Sequence, residues 1–212
     1  MKGPRTLVPV LIMLAIASTG TLALGGGGAR AQRANATPVA VTPDPAGCTG
    51  EPRSFTEIVA LFDSATPIAE VMITDTVTLP IGTSADADAV NAVTATLHSA
   101  VGCLNAGDFG RFFSLLTPNA ILTQFYWVGE EIAQGNLTED TLIPRPLPAN
   151  LQQTVLAIGG VTELPDGRYA AIMVLIDPES GAASPTALHL ILVRDGDRLL
   201  IDKVTEFQRE EE

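Results

Sequence analysis

Between Ala85 and Thr117 the apolar residues follow helical spacing. Val90, Val93, Leu97, Val101 and Leu104 recur at three- and four-residue steps and form one stripe. Ser84 stands where an N-cap is expected, and Asp86 and Asp88 fall in the first turn, where negative charge opposes the positive end of the helix dipole. Asn105-Ala106-Gly107 breaks the stripe, because glycine takes the left-handed conformation that ends helices. Asp108 then caps a second helix carrying Phe109, Phe112, Phe113 and Leu116, and Thr117-Pro118 either closes it or restarts a short turn. Upstream, Ser54-Phe55-Thr56-Glu57 is a capping box opening a helix with Phe55, Ile58, Val59 and Phe62 on one face. Val71, Ile73, Val77 and Leu79 alternate with polar or flexible residues, as in a strand or an extended strap.

Beyond Pro118 the spacing is less decided. Ile121 to Val128 is mostly apolar and holds Phe125, Tyr126 and Trp127, while Pro144, Pro146 and Pro148 enforce an extended crossing loop. From Leu151 the pattern changes to strands: Leu151 to Leu164, Arg168 to Asp177, Thr186 to Arg194 and Arg198 to Phe207. Pro165-Asp166-Gly167 and Asp195-Gly196 are turn signals between β-branched runs. Four sequential strands with short connections predict an antiparallel meander, and no βαβ alternation accompanies them. The fold class is α+β, with N-terminal helices packed on an antiparallel sheet.

The ends of the chain add a compartment. Lys2 and Arg5, an apolar run from Leu7, and Ala29-Arg30-Ala31 have the layout of a secretory leader over 1–31; the other reading is a retained membrane anchor, weakened by Pro9 and Ser18-Thr19-Gly20. Cleavage would remove three of the 12 basic residues and none of the 24 acidic ones, leaving 9 against 24, a net charge of −15. Such a surface repels phosphate backbones, which argues against nucleic acid as a partner. Residues 32–50 read as a spacer rich in Pro, Ala and Thr, 51–83 as a helix plus strap, 84–207 as the main domain and 208–212 as an acidic tail. The chain has only two cysteines, Cys48 and Cys103. Outside the cytoplasm that number favours one disulfide over a metal site, and Cys103 projects roughly 120° from the helix stripe, towards the segment that starts at Cys48.

The amphipathic helix, the run Cys103-Leu104-Asn105-Ala106-Gly107-Asp108, the second helix ending in Ser114-Leu115-Leu116-Thr117-Pro118, and a closing hairpin with Asp195-Gly196-Asp197-Arg198-Leu199-Leu200-Ile201-Asp202 together resemble the nuclear transport factor 2-like superfamily, its SnoaL-like members in particular. Leu199 or Leu200 stands where that family's closing strand carries Trp. The resemblance spans about Ala85 to Phe207. It implies a cystatin-like cone in which a curved sheet wraps the helices, with an apolar pocket at the wide end. Leu97, His98, Phe112, Tyr126, Trp127 and Tyr169 are then expected to line that pocket. The family holds isomerases, cyclases and dehydratases, and also members that only bind ligands or dimerise.

A two-residue Asp195-Gly196 turn would set His189 directly opposite Asp202, close enough for a carboxylate to orient an imidazole. That pair is either a proton-transfer dyad or a polar pair on the outer face of the sheet. The opposite face, with Leu188, Leu190, Leu192, Leu199 and Ile201, is the more apolar, and if it is the inner one His189 points outward. The sequence holds no phosphate loop, HExxH or Cys-x-x-Cys, so no metal or cofactor is expected. Two functions follow: an exported, non-catalytic domain that binds a small apolar ligand or a protein, including a second copy through the sheet, or a small-molecule isomerase or cyclase using His189 and Asp202.

Overall fold

The computed structural model describes residues 40–65, 81–178 and 185–207. The leader expected over 1–31, the first part of the expected spacer, the strap expected around Val71 to Leu79 and the expected acidic tail lie outside the described residues.

Helix α1 (Phe55–Ser64) opens on the expected capping box: Ser54 Oγ accepts from the Glu57 amide, and the Glu57 carboxylate accepts from the Ser54 amide at 2.7 Å. The short β1 (Thr83–Ser84) leads to α2 (Ala87–Asn105), whose cap is Asp86 rather than Ser84. The Asp86 carboxylate accepts the Ala89 amide at 2.7 Å, while Ser84 pairs with Thr162 in the sheet. Ala89, Val93, Leu97, Ala100 and Val101 are buried on α2, the i, i+4 and i+3 repeat of a helix lying on a sheet. The helix ends in a Schellman arrangement, with the Gly107 amide bonded to Leu104 O and the Asp108 amide to Cys103 O. Gly107 has φ +60, and a Cβ there would meet Arg145 O at 2.2 Å, so both backbone conformation and space require glycine.

Three short helices follow: α3 (Phe109–Ser114), α4 (Pro118–Gln124) and α5 (Trp127–Ala133). Asp108 caps α3. Thr117 caps α4 with Pro118 in its first turn, so Thr117-Pro118 starts a helix. The undecided run Ile121 to Val128 is thus split between α4 and α5, and Ile121 and Val128 are fully buried.

The strands β2 (Thr154–Glu163), β3 (Tyr169–Ile176), β4 (Thr186–Asp195) and β5 (Arg198–Glu206) join β1 in one antiparallel sheet of order β1-β2-β3-β4-β5. One face of it carries Val155, Tyr169, Ala171, Met173, Leu175, Leu190, Leu192, Leu199 and Ile201, all in the same buried cluster as the helix residues. Leu115 and Thr117 lace the helices to β5: the Ile201 amide donates to Leu115 O and the Thr117 amide to Ile201 O, with Leu116 beside Ile201 between them.

The spacer expected over 32–50 is corrected in its second half, because residues 40–48 pack on the fold. Val41 exchanges two 2.8 Å backbone bonds with Val155, and Pro43 O accepts from the Asn105 side chain at 3.1 Å. Cys48 and Cys103 form the expected disulfide. Asn105 is completely buried with its amide satisfied: Nδ2 donates to Pro43 O and Gln153 O, and Oδ1 accepts from the Gln153 amide at 2.7 Å. One side chain therefore ties the end of α2 to the arm and to the approach to β2.

Candidate functional site

The dyad is taken apart by the hairpin between β4 and β5. Asp195 pairs with Arg198, so the two loop residues are Gly196 and Asp197, with Gly196 at φ +59. That moves the register by two residues from an Asp195-Gly196 turn. A bulge between Ile191 and Leu192 and their partners moves it by one more, and His189 lies opposite Thr205, not Asp202.

Asp202, the extra residue of that bulge, is held by other groups. It accepts from Thr117 Oγ1 at 2.9 Å and from Arg168 Nη1 at 3.3 Å. Thr117 Oγ1 in turn accepts the Ala120 amide at 3.1 Å. The carboxylate thus orients the hydroxyl that caps α4, a positioning task between helix and sheet.

His189 sits on the face away from the helices. Leu190 and Leu192, its neighbours in the alternation, belong to the main core, whereas Ile191 joins a separate small cluster with Leu164 and Ala170. On that outer face His189 is nevertheless only 6% exposed, and the Phe207 ring meets it edge-on at 6.4 Å. Burial pushes its pKa below the ordinary imidazole value, and the nearby Lys203 ammonium adds to the effect. The unfolded chain therefore binds more protons than the native one between the lowered pKa and about 6.5, so stability rises with pH through that window and is fully present above it. Unfolding free energies at pH 7.5 and 5.5 are expected to differ more in the wild type than in His189→Gln. An equal pH slope in the two proteins would refute this assignment.

The expected pocket residues are dispersed. Leu97 has no exposed surface, Phe112 is buried with its ring edge-on to Phe125 at 5.5 Å, and buried Tyr169 accepts from Arg194 Nη2 at 3.2 Å. All three belong to the buried core cluster shared by the helices and the sheet. Trp127 packs half-buried against the same core, and Tyr126 is 66% exposed. His98 borders concave surface. It lines two adjoining open concavities of about 310 and 200 Å³, formed where the 41–47 arm, α2 and β2 meet. Sequence periodicity placed His98 beside the core stripe, but the arm that makes the concavities comes from the segment read as a spacer.

Among the described residues no three His, Cys, Asp or Glu side chains are grouped to hold a metal ion, and no helix is long and apolar enough to cross a membrane. The chain matches no protein-family model, no curated protein and no solved structure.

Proposed function

We propose that the chain is an exported, non-catalytic protein-interaction domain of nuclear transport factor 2-like type, which associates with a second copy through the outer face of its sheet. One observation carries this reading. On β3 and β4 the outer face is apolar where a sheet covered on one side normally alternates to polar residues, and Lys203 and Thr205 of β5 border it. Ile172 and Val174 on β3 and Ala187 and Val193 on β4 remain partly exposed there, around buried Ala170, His189, Ile191 and Leu200. A contiguous apolar surface of this kind marks an interaction site.

Export is supported by the leader-like start and by the disulfide, a bond that persists in oxidising compartments. The proton-transfer alternative loses its geometric basis, because Asp202 is engaged by Thr117 and Arg168 and does not face His189. The burial of Leu97 and Phe112 speaks against their lining a cone that binds a small apolar ligand.

Sedimentation velocity over a range of concentrations tests the reading. The wild type is expected to self-associate, and Val174→Lys, which puts a charge on the outer face without touching the core, is expected to sediment as a monomer with an unchanged melting temperature. A wild type that stays monomeric throughout, or a Val174→Lys variant that dimerises equally well, would rule the surface out.

A further inference from the structure

The apolar outer face of the sheet has an ionisable side chain at its centre. His189 lies on β4, the middle strand of the three that make this face, between Ala187 and Ile191 in the alternation. From β3, Ile172 stands directly opposite it, with Ala170 and Val174 to either side. From β5, Thr205 stands opposite it, with Lys203 on one side and the Phe207 ring on the other. Of these neighbours only Lys203 is charged, and it is a cation. The remaining charged groups of these strands are engaged or turned away. Arg168, beyond Ala170, pairs with Asp166 and Asp202, and Asp195, at the far end of β4, pairs with Arg198. Glu206 stands opposite Leu188, which packs against the main core, so alternation turns it to the helix side.

We propose that His189 makes self-association through this face acid-sensitive, its protonation separating the two copies; the inference rests on the outer face being the surface they share. His189 keeps 6% of its surface exposed in the single copy. A second copy laid on the face removes that last contact with water. A neutral imidazole tolerates this, whereas an imidazolium without an anionic partner does not, because a buried charge needs compensation. A face that pairs with itself does so about a two-fold axis, so each dimer buries two such rings, and a residue at the centre lies near its own copy. Two protons there would add mutual repulsion to the loss of water.

The sign follows from proton linkage. Burial, then Lys203, already holds the His189 pKa below the ordinary imidazole value in the single copy, and covering the ring lowers it further. Between those two values the dimer binds fewer protons than two separate copies, so association weakens as pH falls through that window and is strongest above it. The charge of the whole chain acts in the opposite direction. With 24 acidic and 12 basic side chains, two copies repel each other at neutral pH, and acid neutralises carboxylates and relieves that repulsion. General electrostatics therefore strengthens association on acidification, and a weakening identifies the histidine.

Sedimentation velocity at pH 7.5 and 5.0 tests the proposal. The wild-type dimer dissociation constant is expected to rise at least about fivefold at the lower pH. In His189→Gln, whatever its dissociation constant at pH 7.5, the value is expected to stay level or fall on acidification. Lys203→Gln removes the nearby cation, so the imidazole takes up its proton more readily and the weakening begins at a higher pH than in the wild type. His98, the chain's other histidine, sits on α2 and titrates in all three proteins alike, so it cannot produce these differences. A wild-type dissociation constant that holds or falls between pH 7.5 and 5.0, or a rise of equal size in His189→Gln, would overturn the inference and leave the shared face standing. A wild type that is monomeric at both pH values would remove the shared face, and the acid sensitivity with it.

Discussion

Breaking the Cys48–Cys103 bond is expected to lower the unfolding free energy by about 4 kcal/mol, the chain-entropy value for a closed loop of this length. The two cysteines are 55 residues apart, so the bond removes a large set of conformations from the unfolded chain. Against a total stability of about 5–15 kcal/mol for a typical domain, that loss is decisive. The contacts around the bond do not depend on the sulfur atoms and are expected to persist when it is cut: Val41 pairs with Val155, and Asn105 holds Pro43 O. The effect should therefore appear in the denaturation midpoint while the far-ultraviolet spectrum at low denaturant is unchanged. Cys48→Ala, Cys103→Ala and the double variant all lack the same bond. The double variant is expected to lose hardly more than the Cys103→Ala variant, a strong departure from additivity. Reduction of the wild type should reproduce the loss. Midpoints unaffected by reductant, or single-variant losses that simply add, would show that the bond does not stabilise the fold.

What could be read from the sequence divides along the range of the interactions involved. The capping box at Ser54, the α2 stripe, the Gly107 stop and the Asp108 cap depend on residues within a few positions of one another, and each recurs in the structure. The strands were readable for the same reason, since alternation and turn residues are local. Register was not. Asp195-Gly196 and Gly196-Asp197 are both acceptable two-residue turns, and the choice between them, with a bulge that has no marker in the sequence, carried Asp202 three residues away from His189. The outward direction of His189 was nevertheless legible as a condition: the leucine-rich face of the final hairpin is the inner one. Residues 40–48 looked like a spacer because every contact that holds them is distant in sequence, to Val155, Asn105 and Cys103. The disulfide itself was legible from the count of two cysteines and the side of the helix that Cys103 occupies. The concavities beside His98 were not, since they exist only where that misread arm crosses α2 and β2.

Leu97→Ala is expected to cost about 2–5 kcal/mol, because the lost transfer free energy adds to that of a cavity the neighbours only partly fill. Leu97 lies in the middle of the buried face of α2, has no exposed surface, and belongs to the cluster that includes Leu190, Leu192 and Ile201 of the final hairpin. Collapse around the vacated space is resisted on both sides. The helix is held at its end by Asn105 and the disulfide, and β4 and β5 are held to each other and, through Ile201, to Leu115 and Thr117. His98, the next residue, leaves the stripe and borders the open concavities, so His98→Ala removes a side chain that water already reaches. Its cost should stay near the ±0.5 kcal/mol typical of surface changes. Two adjacent positions on one helix are thus expected to differ several-fold in their effect, a contrast that helix propensity cannot produce, since both variants end in alanine and a lost leucine costs the helix itself very little. Chemical-denaturation midpoints of the two variants decide between packing and propensity. Equal, small losses at 97 and 98 would mean that α2 does not pack on the sheet through Leu97, and the burial of the final hairpin's leucine face against the helix would have to be abandoned with it.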